Sequence, residues 1–548
     1  MNRYIAILLA AYFSASVGLT QPAPGGPPRL VLVLAIDQMR FDYLTRLDPI
    51  YKGGLRMLLD RGAVFTNAKY RHAVTETGPG HSVLLSGRHP SHSGIVANEW
   101  YDSYLKKPVN VVDDPVQVPI GGSGRAASPI NAIGFTLGDV LKARSPQSRV
   151  VGVSVKDRSA ILMAGRRADA AYWFENAGGN FITSSYYVDA APPWLTEWNG
   201  RRLADSFSGQ SWNRLLDDVS LYDKYAGPDA VPTERDGKDT TFPHVFSAKP
   251  PNAQHFVELR RTPFADELAL AFAVEAMKQH ELGRDAVTDV LAVSFASTDG
   301  IGHSYGPDSH ETMDQLLRLD LLLARFLKEI DSTVGLDQTL IVLSSDHGVR
   351  SLVERQQARG ETARRVPPAV LLKAVTDAFA ERYPGVKDLV SYFSIDLYLN
   401  EEMIRRHGLS RKEVEETARA ALLKTGAVER VYTHDDLRST PTSPDPFLPL
   451  FQNAFFEPRI PHLNVLLKPD VFMNTSSFGT SHGSAYDFDR HVPVVFMGKT
   501  IAPGRYPDPS GPEDIAPTLA HLLQLELPRE RDSRLLMEML TPVAAEGR

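Results

Sequence analysis

The chain contains no cysteine in its 548 residues. That excludes disulfides, thiolate-bound zinc, iron–sulfur clusters and a cysteine nucleophile. Positive charge is not in excess either. Lys and Arg number 59 against 66 Asp and Glu, a formal charge of −7. This excludes a nucleic-acid binder that relies on bulk positive charge. It does not exclude an anionic substrate, because a metal ion inverts the local field. Internal repeats are absent, and low complexity is confined to Gln21–Pro28. Long apolar runs are scarce. One, from Tyr4 to about Phe13, follows Arg3 and precedes the small residues Ser14, Ala15, Ser16 and Gly18. It falls short of the about 20 residues of a membrane-spanning helix. Its layout is that of a secretory signal peptide over residues 1–20, cleaved between Gly18 and Pro24. The expectation is a periplasmic or secreted protein with no stable membrane span after cleavage; a retained anchor is the alternative.

Hydrophobic residues make up 43% of the chain, enough to bury a large core without covalent staples. Leu30–Ile36 is an unbroken aliphatic run that ends abruptly in Asp37. Runs apolar on both faces mark buried strands of a parallel sheet. The same design recurs at Val150–Val155, before Lys156, Asp157 and Arg158, and at Val290–Ala296, before Asp299. It recurs again at Thr339–Leu343, before Asp346 and His347, and at Val492–Met497. Helical patterns lie between, from Thr262 to about His280 and over Glu311–Ile330. Strands alternating with helices predict an α/β fold. Two stretches break the rhythm. Residues 165–255, rich in aromatics and glycine, read as an insertion over the sheet, and residues 360–470 as a compact inserted subdomain. Within the latter the pattern predicts a helix near Leu371–Arg382, a strand near Phe393–Leu399 and a helix near Lys412–Lys424.

In open α/β sheets ligands bind beyond the carboxyl ends of the strands. There the sequence sets Asp37, Lys156, Arg158, Asp299, Asp346 and His347. Charges so placed are costly to bury without partners, and a shared metal centre would gather them. Asp299 and His303, four apart, point the same way if the chain turns helically. His482 sits in a glycine-flanked loop, Gly479 to Gly483. Oxygen and nitrogen donors without sulfur suit zinc ahead of manganese or iron. Each residue alone has a plainer reading: an Asp after a strand caps a helix, and a His in a loop is a surface or hydrogen-bonded residue. Thr77, in Thr75-Glu76-Thr77-Gly78-Pro79-Gly80-His81, opens a predicted helix whose free N–H groups favour a bound anion; alone it reads equally as a capping threonine. Lys156 and Arg158, two apart, share a face if the strand runs that far and could clamp a dianion; the alternative is a solvated strand end. Asn98 is uninformative by itself.

In their order, the segments AIDQMRFDYL, TETGPGHS, ANEWYD, SVKDRSAILMAG, STDGIGHSYGP, SSDHG and GTSHGSAYDFDRHVPVVFMG resemble the alkaline phosphatase superfamily, in its type I phosphodiesterase and nucleotide pyrophosphatase branch. They are most similar to the bacterial two-zinc alkaline phosphatases with a threonine nucleophile. The resemblance runs from about Leu30 to about Leu525. It implies an alkaline-phosphatase-like catalytic domain over residues 28–548, with a mostly parallel central sheet flanked by helices on both faces and inserted cap subdomains. It implies two zinc ions, one on Asp299, His303 and His482, the other on Asp37, Asp346 and His347 with the Thr77 oxygen. Asn98, Lys156 and Arg158 match the phosphate-contacting positions. The expected activity is hydrolysis of small phosphate monoesters through a phosphothreonine. A nucleotide pyrophosphatase or phosphodiesterase on the same scaffold is the alternative. A sulfatase is disfavoured by the missing cysteine and by His81 where that branch carries arginine; a mutase would present serine. A non-catalytic metal- or phosphate-binding protein would need the ligands but not Thr77. Oligomeric state is not legible.

Overall fold

In the computed structural model, residues 26–246, 249–250, 252–440, 444–457 and 459–540 are described. The signal-peptide reading of residues 1–20 lies outside them. Among the described residues, ten strands form one sheet. In chain order they are β1 (Leu30–Ile36), β2 (Ala63–Phe65), β3 (Pro119–Ile120), β4 (Val150–Ser154) and β5 (Ala170–Glu175), then β6 (Asn180–Ser184), β7 (Asp289–Phe295), β8 (Thr339–Ser344), β9 (Val494–Met497) and β10 (Gly504–Tyr506). Their spatial order is β10-β2-β9-β8-β1-β7-β4-β5-β6-β3. The middle five, from β8 to β5, run parallel. β9 pairs antiparallel with both β8 and β2.

All seven side chains of β1 are fully buried, and they alternate between two cores. Leu30, Leu32, Leu34 and Ile36 pack with helices α3 (Phe264–Gln279) and α5 (His310–Thr333), through residues such as Phe272 and Leu323. Val31, Val33 and Ala35 face α1 (Thr77–Ser86) and α6 (Ile515–Leu522), through Leu84, Leu85 and Leu519. An aliphatic run on both faces is therefore what a strand sandwiched between helices requires, each such residue contributing roughly 2 kcal/mol of burial.

Residues 165–255 depart from the expectation. Instead of lying over the sheet, the segment opens with β5 and β6, two strands of it. The run AAYWFE is buried on both faces, so it shows no alternation to betray it. The turn between the two strands is tied by the Glu175 carboxylate, which accepts from the backbone N–H groups of Ala177 and Gly178.

Residues 360–470 contain a separate four-stranded sheet, ordered Val390–Phe393, Leu397–Leu399, Leu463–Leu467, Val428–Thr433. The helices Pro368–Arg382 and Arg411–Lys424 cover it and share its core. The single expected strand near Phe393–Leu399 is thus a pair of short antiparallel strands. This unit leans on the main body beside Asn98: Tyr392 stacks on Tyr101 at 5.5 Å, and Arg459 lies 4.6 Å over the Trp100 ring.

Candidate active site

The parallel register brings the strand ends level. Ile36 is opposite Phe295, Ala35 opposite Ser344, and Ser294 opposite Ser154. The residues that follow are consequently delivered to one edge. Asp37 comes one residue after β1. Asp346 comes two after β8. Helix α4 (Ser297–Tyr305), which begins just past β7, carries Asp299 and His303 one turn apart. His482 arrives on the loop before β9.

Six side chains meet there. His303 Nε2 lies 3.2 Å and His482 Nε2 3.7 Å from Asp299 Oδ1. His347 Nε2 lies 3.2 Å from Asp346 Oδ2. The rings of His347 and His482 stack at 3.4 Å, so the two groups of ligands adjoin. Lys156 ties Asp37 to Asp299, its Nζ 2.8 Å from Asp37 Oδ2 and 2.6 Å from Asp299 Oδ2.

The histidine tautomers follow from their partners. Nδ1 of His303 contacts the Thr480 carbonyl at 2.8 Å, that of His347 the Gly348 carbonyl at 2.9 Å, and that of His482 the Thr75 carbonyl at 2.7 Å. A carbonyl only accepts, so each Nδ1 carries the proton and each Nε2 presents a lone pair to the carboxylates. That is how metal-binding imidazoles are oriented. Asp346 Oδ2 and His347 Nε2 are buried without a hydrogen-bond partner. Three carboxylates, three inward lone pairs and these orphaned atoms, with no sulfur, fit two divalent cations of the zinc type.

The electrostatics agree. Burial alone would raise the carboxyl groups of Asp37 and Asp299, yet the Lys156 ammonium holds both well below the usual range. His347 is pushed up to about 9; burial opposes this, but Asp346 and Asp299 beside it win, so in the absence of a cation its Nε2 holds a proton that a bound metal would displace. His482 is driven well down by burial and by His347 and His303. Such divergent shifts within one cluster mark a functional site.

Thr77 is the first residue of α1, with Glu76 as its cap. The side chain of Asn98 reaches the same turn, Oδ1 accepting from Gly78 N–H at 2.7 Å, while Asn98 N–H donates to Glu76 at 2.7 Å. Helix α1 is pressed onto the β8 edge. Gly80 packs directly against the Asp346 backbone, where a methyl group would collide with the carbonyl. Gly80→Ala must push Thr77 off the Asp346 side of the site. A misplacement of about 1 Å costs about 10²-fold in rate, so steady-state kinetics should show a drop of that size with the circular dichroism unchanged.

Lys156 and Arg158 do not share a strand face. β4 ends at Ser154, and helix α2 (Asp157–Ala164) starts at once, with Lys156 as its cap. Lys156 turns inward to the carboxylates, whereas Arg158 stays at the rim, its side chain 23% exposed and its Nε buried without a partner.

Three further residues had no assigned role in the site. His81, one helical turn after Thr77, has Nδ1 on the Thr77 carbonyl at 2.9 Å and Nε2 3.2 Å from Asp37. Its i, i+4 spacing from Thr77 was the signal. Gln38, held at φ 65°, donates from its side chain to Asp299 and from its backbone to Asp346. Arg260 is held below its usual value by burial and then by Arg158. Nothing in the local pattern distinguished these two.

Residues 31–485 match the family described as type I phosphodiesterase / nucleotide pyrophosphatase. The chain is 32% identical over 513 residues to the alkaline phosphatase PafA of Elizabethkingia meningoseptica, covering 91% of this chain and 92% of that protein. It is 34% identical over 533 residues to the alkaline phosphatase PhoK of a Sphingomonas species, covering 93% and 91%. The crystal structure of wild-type PafA superposes with a TM-score of 0.87 at 31% identity, over 94% of this chain and 99% of that one.

Proposed function

Because the chain belongs to the type I phosphodiesterase / nucleotide pyrophosphatase family of the alkaline phosphatase superfamily, we propose that it is a secreted alkaline phosphatase. In this reading it hydrolyses phosphate monoesters through a phosphothreonine at Thr77, with two zinc ions as cofactors. The observation that carries the reading is the convergence of Asp37, Asp299, His303, Asp346, His347 and His482 beside a threonine at a helix start.

One metal would be held by Asp299, His303 and His482, the other by Asp37, Asp346 and His347 with the Thr77 oxygen. Bound there, divalent ions supply Lewis acidity toward phosphoryl oxygens and lower the pKa of a hydroxyl or water. The chain's own residues do the positioning. Thr77 Oγ attacks phosphorus in line; its bond to phosphorus forms as the ester P–O bond breaks, and the alcohol leaves with a proton. The amide of Asn98, the ammonium of Lys156 and the guanidinium of Arg158 donate to the non-bridging oxygens. The first turn of α1 adds its N–H dipoles to the same charge. Water then attacks the phosphothreonine, releasing inorganic phosphate and restoring the hydroxyl. Little covalent help is needed, because phosphoryl transfer depends on placement and charge.

A monoester carries two negative charges, and two cations with an amide donor match it better than they match a singly charged diester. Parallel assays on an aryl monoester and its diaryl diester at alkaline pH should favour the monoester by at least about tenfold in kcat/KM, the lower size of one charge-assisted contact. Dialysis against a chelator should remove activity and zinc should restore it. Preference for the diester would transfer the chain to the diesterase reading, and activity surviving metal removal would overturn the metal assignment.

A further inference from the structure

Behind the nucleophile helix, on the side away from the catalytic edge, lies a second group of buried donors. His72 sits on the loop that enters α1, and His89 lies just past its C-terminal end. Glu513 belongs to the turn Pro512–Asp514 that leads into α6. His72 and Glu513 are wholly buried, and His89 is 2% exposed.

Their contacts are too long for hydrogen bonds and right for something else. His72 Nδ1 lies 3.5 Å and His89 Nδ1 3.7 Å from Glu513 Oε1. Good N–H···O bonds are about 2.9 Å. Zinc–nitrogen and zinc–oxygen bonds of about 2.1 Å in a tetrahedron set neighbouring donors about 3.4 Å apart. Both nitrogens of His72, Nδ1 of His89 and Oε2 of Glu513 are buried without hydrogen-bond partners. Leaving so many polar atoms unsatisfied in one interior spot is rare and calls for a reason.

The surroundings are those of a ligand set already oriented. His89 Nε2 contacts Asp532 at 2.7 Å, which assigns the proton to that nitrogen and leaves Nδ1 as a donor facing Glu513. Arg71 N–H donates to Glu513 Oε1 at 2.8 Å, while the Arg71 guanidinium is engaged by both oxygens of Asp514. Arg71 Nη1 stands 3.9 Å from Glu513 Oε2, so it does not occupy the inner position. Burial alone would raise the Glu513 carboxyl, but His72, Arg71 and His89 hold it at about 2, so it offers an anionic oxygen throughout the working range.

We infer that His72, His89 and Glu513 form a third divalent-metal site, structural rather than catalytic, of the zinc class. Both oxygens of Glu513 complete a four-donor shell with the two imidazoles. Two imidazoles and a carboxylate are a zinc donor set, and their complete burial leaves no open position for a substrate, which makes the site structural. Its effect is to clamp the two ends of α1 to the C-terminal turn, which fixes the helix that carries Thr77.

The test is a metal count on the folded, full-length enzyme saturated with zinc and passed through a desalting column. Elemental analysis should find one zinc more per chain in the wild type than in His72→Gln or in Glu513→Gln. Asp37→Asn, altered only at the catalytic edge, should keep that extra ion. Equal zinc in the wild type and in both folded variants would overturn the site. Should the variants not fold, anomalous scattering at the zinc edge from wild-type crystals decides: a peak between His72, His89 and Glu513 supports the inference, and its absence refutes it. Neither readout depends on hydrolysis, so the outcome is independent of the catalytic assignment.

Discussion

Thr77→Ala should lose monoester hydrolysis by at least about 10³-fold, measured as kcat with an aryl phosphate. Removing a nucleophile that acts as one unit with its activating groups costs that much or more. The magnitude rests on where Thr77 lies. It is 2% exposed, at the first turn of α1, on a helix anchored by Gly80 against Asp346 and by His81 against Asp37. An alanine there leaves the anchoring contacts intact, because none of them involves the Thr77 side chain. The protein should therefore fold with an unchanged melting temperature and retain zinc, while trapping by acid quench should no longer capture labelled phosphate on the chain. Hydrolysis at the wild-type rate would remove the nucleophile assignment outright. Thr77→Ser should keep a measurable part of the activity, since a hydroxyl remains in place.

The paired substitution Lys156→Ala with Arg158→Ala should separate monoester from diester turnover. Each contact from a cation to a phosphoryl oxygen contributes about 1.5–3 kcal/mol. Loss of both should lower monoester kcat/KM by about 10²–10⁴-fold. Diester turnover should fall by less than about tenfold, because a singly charged group leaves less charge to neutralise. The ratio of the two losses is the quantity to measure; equal losses refute a role in recognising the dianion. The two residues differ in a further respect. Lys156 is buried between Asp37 and Asp299, so its removal also frees two carboxylates to repel, while Arg158 at the rim has no such duty. Lys156→Ala alone should accordingly lower the melting temperature, and Arg158→Ala alone should leave it unchanged.

The architecture was legible where strands are sandwiched between helices. Leu30–Ile36 and Thr339–Leu343 betray themselves because both faces must be apolar, and a charge at the end of such a run has only the sheet edge to occupy. The aromatic strands at Ala170–Glu175 and Asn180–Ser184 escaped because length and composition matched a loop-rich insertion as well as a buried hairpin. The convergence of these side chains was visible because aspartate and histidine beside strand ends are costly unless gathered. Gln38 was not, since a glutamine after an aspartate carries no signal until the backbone turns to φ 65° and lowers its amide onto Asp299. The Lys156–Arg158 pair was misjudged in conformation by one element: the strand stops at Ser154, one residue short of its apolar run, and α2 begins at Asp157.

The six converging side chains are drawn from residues 37 to 482, and the connections that orient them span equally large intervals. Gln38 reaches Asp346 across 308 positions, and His482 reaches Thr75 across 407. During synthesis the amino-terminal half emerges with Asp37 and Thr77 but without Asp299, Asp346 and the three imidazoles that converge beside them. A chain cut short anywhere before the loop Gly479–Gly483 lacks the last of the six converging side chains, His482. Contacts of such long sequence separation also make folding slow, so the cluster is completed only late, after nearly the whole chain has been made.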